Sequence, residues 1–203
     1  MNEKDRDKLL GIRTTNLAEE PNQSTHYSHY EATPYSVLDK LFDAYELTKS
    51  DEFVDFGCGK GRIMFYVHNR FGAAVKGIEM NEKLYSVALE NQKNYMRKAK
   101  KKSEPIQVEC CLAEEYDVKV TENRFYFFNP FSIQIFSRTV NNILDSVDLL
   151  RREVDIILYY PNYEYIEYLE TYTPFELAQE VQVPGLYNIN KNERFVIYRI
   201  EDY

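Results

Sequence analysis

The stretch Asp51–Arg62, read as DEFVDFGCGKGR, limits what this chain can fold into more than any other part of it. Phe53 to Gly57 has the look of a short buried strand with an abrupt stop. Gly57, Gly59 and Gly61 then form a Gly-x-Gly-x-Gly turn, and Arg62-Ile63-Met64-Phe65 opens a helix. Strand, glycine turn and helix in succession let the backbone approach a nucleotide-like ligand closely, because a Cβ at those positions would collide with it. A glycine turn alone is a weak signal, so its meaning depends on what the chain brings beside it.

At 203 residues, 44% hydrophobic and 29% charged, the chain reads as one soluble, folded domain with a sizeable core. No run of about 18 apolar residues suggests a membrane span. The opening Met1-Asn2-Glu3-Lys4-Asp5-Arg6 is too charged for a signal peptide. Cys58, Cys110 and Cys111 have no paired framework, which suits a reducing cytoplasm. A formal net charge of -8 argues against a large nonspecific phosphate-binding surface and leaves a local basic patch open. It favours a protein or small-molecule partner over nucleic acid.

Residues 1–30 are polar and show no periodicity, so they read as an extended, partly flexible lead-in to a single domain over 31–203. His26 and His29 lack a third ligand nearby, and no metal site is expected. Thr33 can cap a helix with Pro34 in its first position, and Leu38, Leu41, Phe42 and Tyr45 form its apolar stripe. Ala74–Glu79 reads as a second strand. A long helix from Glu82 to about Lys102 follows, with Leu84, Val87, Ala88 and Leu89 inward and a basic cluster in its last turns. Strands are expected at Ile106–Cys110, Arg124–Phe128 and Val154–Tyr160, with helices over 132–150 and 163–172. Two last strands, 175–181 and 194–200, form an antiparallel pair joined by a polar connection containing Pro184-Gly185.

Alternation of this kind predicts an α/β fold: a doubly wound, mostly parallel sheet with an antiparallel C-terminal hairpin and helices on both faces. Ligands in such sheets sit beyond the carboxyl ends of the strands. Asp55 to Gly61, Glu79, Ala113-Glu114 and Asn129-Pro130 all fall there. A dinucleotide fingerprint needs a third glycine that lets the helix approach the strand. Arg62 or Met64 stands at that position, depending on which glycine starts the count. A carboxylate, Asp55, precedes the turn; it would repel a pyrophosphate but suits a ligand with an amino group and a sulfonium. Glu79 is placed to accept hydrogen bonds from ribose hydroxyls, a role common to both ligand classes.

Asp55-Phe-Gly-Cys-Gly-Lys-Gly61, Glu79 and the seven-strand order resemble the class I, Rossmann-like S-adenosylmethionine-dependent methyltransferases, over roughly residues 33 to 200. The resemblance implies S-adenosyl-L-methionine as cofactor, with Asp55, Gly57, Cys58, Gly59 and Gly61 at its amino-acid part and Glu79 on the ribose. It further implies Met80 beside the adenine, Ala113 and Glu114 at the adenine edge, and Thr33 and Asn129 completing the pocket. Tyr30-Glu-Ala-Thr-Pro34 ahead of a helix is similar to the small protein-lysine methyltransferases. Phe128-Asn-Pro-Phe131 looks like a shortened Asn-Pro-Pro-Tyr motif, which implies Asn129, Pro130 and Phe131 as a grip on a planar amino nitrogen. In that reading Asn129 and Pro130 oxygens accept the amino hydrogens and Phe131 stacks on the plane. A lysine acceptor would instead need aromatic walls that favour the neutral amine. The rival classes are an NAD(P)-dependent oxidoreductase, disfavoured by the glycine count, and a catalytically silent nucleotide-binding scaffold. Oligomeric state is not legible in these residues.

Overall fold

The computed structural model describes residues 1–15, 31–99 and 105–201. At its centre lies β1 (Glu52–Phe56), in a seven-stranded sheet whose order is β3-β2-β1-β4-β5-β7-β6. β2 (Ala74–Ile78) and β3 (Ile106–Glu109) extend one side of β1. β4 (Arg124–Phe127) and β5 (Val154–Tyr159) extend the other, and all five run parallel. β7 (Arg194–Ile200) then inserts antiparallel between β5 and β6 (Glu176–Gln182). The chain reverses direction at β1, so the carboxyl ends of β1 and β4 flank the crevice where such sheets hold ligands.

Helices cover both faces. α2 (Tyr35–Ala44), α3 (Arg62–Phe71) and α4 (Glu82–Ala99) pack on one face, where Leu38, Leu41, Met64, Phe65, Val67 and Tyr95 are buried together. α5 (Ile133–Leu149) and α6 (Tyr163–Tyr172) cover the other, burying Phe136, Val140, Ile143, Tyr165 and Leu169 against Phe56, Phe125 and Phe127. The Phe136 and Tyr165 rings stack at 3.7 Å. A single 3-10 turn, Ala113–Glu115, follows β3. The doubly wound α/β architecture with an antiparallel pair at its end is as expected from the alternation of segments.

Four local readings need correction. The lead-in is not extended throughout: Glu3–Leu10 forms α1, capped by the Asn2 side chain on Asp5 N–H and ended by Gly11 at φ 76°. α1 is tied down by Asp7, whose buried carboxylate accepts from Thr14 N–H and Oγ1 and from the Tyr35 hydroxyl. At α2, Pro34 stands at the N-cap and Thr33 makes no capping bond, its hydroxyl lying 2.7 Å from the Tyr126 hydroxyl instead. On α4 the deeply buried face is Ala88, Asn91 and Tyr95, whereas Leu84, Val87 and Leu89 are half-buried. The connection between β6 and β7 carries a short helix, α7 (Leu186–Ile189). Residues 16–30, with His26 and His29, and Lys100, Lys101 and Lys102 of the basic cluster lie outside the described residues. Among the described residues no helix is long and apolar enough to cross a membrane.

Gly77 of β2 sets how closely α3 can lie on the sheet. A Cβ there would sit 2.3 Å from Met64 Sδ and 2.6 Å from Cys58 Sγ. This is the helix-to-strand approach that the missing third glycine of a dinucleotide turn would supply, delivered here from the neighbouring strand. Gly77→Ala should therefore overpack the joint and destabilise the fold by about 1–3 kcal/mol. In thermal denaturation this is a drop of roughly 2–10 °C; an unchanged melting temperature would show that Met64 and Cys58 move aside freely.

Candidate functional site

The carboxyl ends of β1, β2 and β4 converge on the glycine turn. All three glycines of the turn occupy positive φ, at 77°, 55° and 84° for Gly57, Gly59 and Gly61, where a side chain is strained. What a Cβ would meet there differs from the sequence expectation of a ligand. At Gly57 it would lie 2.6 Å from Pro130 Cβ, and at Gly61 2.8 Å from the Phe65 ring. The turn is thus shaped by its own neighbours, and the Gly57–Pro130 contact joins it directly to the exit of β4.

Four N–H groups of the turn are already engaged. Gly57 and Cys58 N–H both donate to Ile78 O, at 2.9 and 3.0 Å, and Gly61 N–H donates to Cys58 O at 2.8 Å. Gly59 N–H donates to Glu79 Oε2 at 2.8 Å, and the other Glu79 oxygen accepts Asn81 N–H at 2.8 Å. A pyrophosphate cradle requires free N–H groups aimed at the ligand. These four are spoken for, and the charge beside them is negative.

That charge comes from Asp55 and Glu79, 4% and 7% exposed. Among the described residues no cation pairs with either. Burial, then the nearby Glu79 charge, pushes the Asp55 carboxyl well above the usual range. Burial also raises Glu79, partly opposed by its backbone N–H donors. Two buried, like-charged carboxylates close together are stable as anions only when something positive or hydrogen-bond-donating joins them.

The remaining residues singled out from sequence divide into those that reach this edge and those that do not. Met80 is half-buried at the end of β2. Ala113 is buried beyond β3, and Glu114 beside it is half-buried, its carbonyl accepting from Asn142 Nδ2 at 2.9 Å. Thr33 stands over β4, with its carbonyl 3.2 Å from the Arg62 guanidinium and its hydroxyl on Tyr126. Cys58 does not present itself to a ligand: its sulfur is packed under the turn against the Gly77 position and its N–H is bonded within the sheet. Burial and the two carboxylates hold its thiol pKa well above the ordinary value. Phe131 is likewise withdrawn, 5% exposed, edge-on to Phe127, with its carbonyl accepting from the Tyr165 hydroxyl. A ring so enclosed is core, and it is not available to stack on an acceptor.

Phe128 is half-buried with its ring 4.7 Å from that of Tyr159 at the end of β5. The Tyr159 hydroxyl donates to Glu193 at 2.6 Å. Among the described residues two that are not glycine adopt positive φ, Asn129 at 46° and Tyr160 at 50°, each just past the end of β4 or β5. Asn tolerates that region but Tyr does not. Tyr160 is held there by its N–H on Arg194 O and by Asn190 Nδ2 on its hydroxyl at 2.6 Å. Backbone strain of this kind collects at functional sites. The run of tyrosines around β5 was visible in the sequence, but which of them face the edge depends on strand ends and on the β6–β7 connection. Among the described residues no group of His, Cys, Asp and Glu could hold a metal.

The family model described as "Histone methylation protein DOT1" matches residues 14–107, a little under half of the chain. Solved structures similar to the fold include an RNA methyltransferase from Salinibacter ruber in complex with S-adenosyl-L-homocysteine, at 17% identity and TM-score 0.59, covering 85% of this chain and 94% of that one. A SAM-dependent methyltransferase from Methanosarcina mazei aligns at 13% identity and TM-score 0.55 over 77% and 95%. A phosphoethanolamine N-methyltransferase from Haemonchus contortus, with phosphoethanolamine and S-adenosylhomocysteine, aligns at 13% and 0.60 over 83% and 42%. No curated protein matches the sequence significantly. Sheet order, turn and these likenesses together give the chain the class I S-adenosylmethionine-dependent methyltransferase fold.

Asp55 gives a direct test of the site. A carboxyl pKa raised by folding means the native state binds more protons than the unfolded one, so its contribution to stability falls as pH rises from the usual carboxylate range through the raised value. Asp55→Asn should remove that slope and raise the melting temperature of the ligand-free protein at neutral pH. Thermal melts between about pH 4 and 8 read both effects. A variant less stable than the parent at neutral pH would place a stabilising partner on Asp55.

Proposed function

We propose that the chain is an S-adenosylmethionine-dependent methyltransferase acting on a nitrogen. The observation that carries this reading is the buried Asp55–Glu79 pair, joined by no described cation, beside a turn whose Gly57, Cys58, Gly59 and Gly61 N–H groups are committed. An anionic pocket without a phosphate cradle fits a cofactor that is cationic and lacks phosphates. The similar structures that hold S-adenosylhomocysteine support the same cofactor.

When bound, that cofactor supplies an electrophilic methyl carbon on a positive sulfur. The protein's residues then have three tasks. Asp55 and Glu79 bind: Asp55 faces the positive amino-acid part, and each Glu79 oxygen, already holding one N–H, keeps lone-pair capacity for a ribose hydroxyl. Pro130, packed against the Gly57 position, would bring the exit of β4 and its acceptor groups beside the cofactor turn. The Asn129 side-chain oxygen and the Pro130 carbonyl accept hydrogens of a planar amino group and stabilise positive charge as it develops. Phe128, half-buried at the exit of β4, would be the aromatic wall that excludes water beside the acceptor.

A second reading is favoured by the match of the first half to a histone-methylation family: an amine nitrogen on a protein side chain. There the same aromatic wall would act by desolvation, favouring the neutral amine.

Methyl-labelled cofactor incubated with cell extract, followed by mass spectrometry of the labelled product, tests the proposal. N-methylation is expected. Asn129→Ala should leave S-adenosylhomocysteine affinity unchanged and slow turnover on the order of a hundredfold. An O- or C-methyl product, or full activity in the variant, would contradict the nitrogen reading.

A further inference from the structure

Beside the glycine turn, a groove of about 790 Å³ runs between α1 and α4. Six cationic side chains line it: Lys4, Lys8, Arg13, Lys60, Arg97 and Lys98. Among the described residues Asp7 and Glu90 are its only acidic lining, and the Asp7 carboxylate is consumed by Thr14, Thr15 and Tyr35. Lys4, Lys8, Arg13, Arg97 and Lys98 are exposed, and none of the five forms an ion pair with a described residue. Lys98 Nζ donates to Lys8 O and Arg97 to Asn94 Oδ1, neutral acceptors that leave both charges standing. In a chain of net charge -8, such a concentration of unpaired positive charge in one concave surface is a local reversal of sign.

We infer that this groove docks the phosphodiester backbone of a nucleic acid and leads it to the catalytic edge. Three features favour a polynucleotide over an acidic protein. First, the groove is linear: the α4 residues that line it run from Val87 to Lys98, about 16 Å of helix. Second, its described lining holds no aromatic residue and its Ile12 is buried, so these residues offer none of the anchors that supply most of the energy of protein–protein contacts. Phosphate binding needs only the cations, through release of counterions. Third, Lys60 belongs both to the groove and to the cofactor turn, so a strand lying in the groove ends beside Gly59 and Gly61. With no stacking platform or base-reading surface, the groove positions the partner without selecting sequence. Selection of the acceptor base would fall to Asn129 and Phe128. That last step rests on the nitrogen methyltransferase reading; the docking does not.

Fluorescence anisotropy of the full chain with labelled mixed-sequence RNA and DNA of about 20 nucleotides, without cofactor, tests the groove. If five cations contact phosphates, affinity should fall about 100- to 500-fold between about 50 and 200 mM salt. The double variant Lys4→Glu/Arg97→Glu, both exposed and outside the cofactor pocket, should lose binding at least tenfold, while Arg151→Glu beyond α5 should not. S-adenosylhomocysteine affinity, measured on the same variants, should stay unchanged and shows that the fold is intact. The inference fails if neither polymer binds at low salt, if the double variant binds as the parent does, or if polyglutamate binds more tightly with the same salt slope. Nucleic-acid binding without S-adenosylhomocysteine binding would sustain the groove and overturn the methyltransferase proposal.

Discussion

The catalytic edge depends on one carboxylate. Glu79 holds the Gly59 N–H with one oxygen and the Asn81 N–H with the other, at 2.8 Å each. It thereby ties the turn after β1 to the start of the helix after β2. Its own N–H reaches Glu109 O, which extends the tie to β3. Because Glu79 is buried close to Asp55, this structural latch carries an electrostatic penalty. The energetic tension is the site's chemistry: what stabilises the turn also makes the pocket demand a cation.

The sheet was largely legible because its logic is local. Alternating apolar runs and helical stripes, punctuated by Gly57, Gly72 and Pro161, mark strands and helices within a residue or two, and Tyr163–Tyr172 at both bounds. Asp55 and Glu79 could be placed at strand ends by counting. α1 escaped because Glu3–Leu10 is almost wholly polar and its helix is fixed by Asp7 on Thr14 and Tyr35 and by Glu3 on Arg62. Its signals were the Asn2 cap and Gly11 at the end. α7 has four residues, too few to show a period.

Two of the residues singled out from the sequence are packed into the fold for a common reason. Phe131 and Cys58 lie beside residues that do face the edge, and sequence spacing cannot say which of two neighbours turns inward. Three-dimensional contacts decide it: Tyr165 and Phe127 enclose Phe131, and Gly77 opens the space that Cys58 fills. The basic groove was hidden for a different reason. Its cations come from α1, the turn and α4, and a net charge averages them with carboxylates on distant surfaces.

The central claim is that Asp55 and Glu79 take a phosphate-free nucleoside ligand that carries a positive amino group. The most direct measurement is titration calorimetry of the full chain with S-adenosylhomocysteine and with NADPH. The account predicts saturable, one-to-one binding of S-adenosylhomocysteine, abolished by Glu79→Ala, and no binding of NADPH. Binding of NADPH in place of S-adenosylhomocysteine would contradict it.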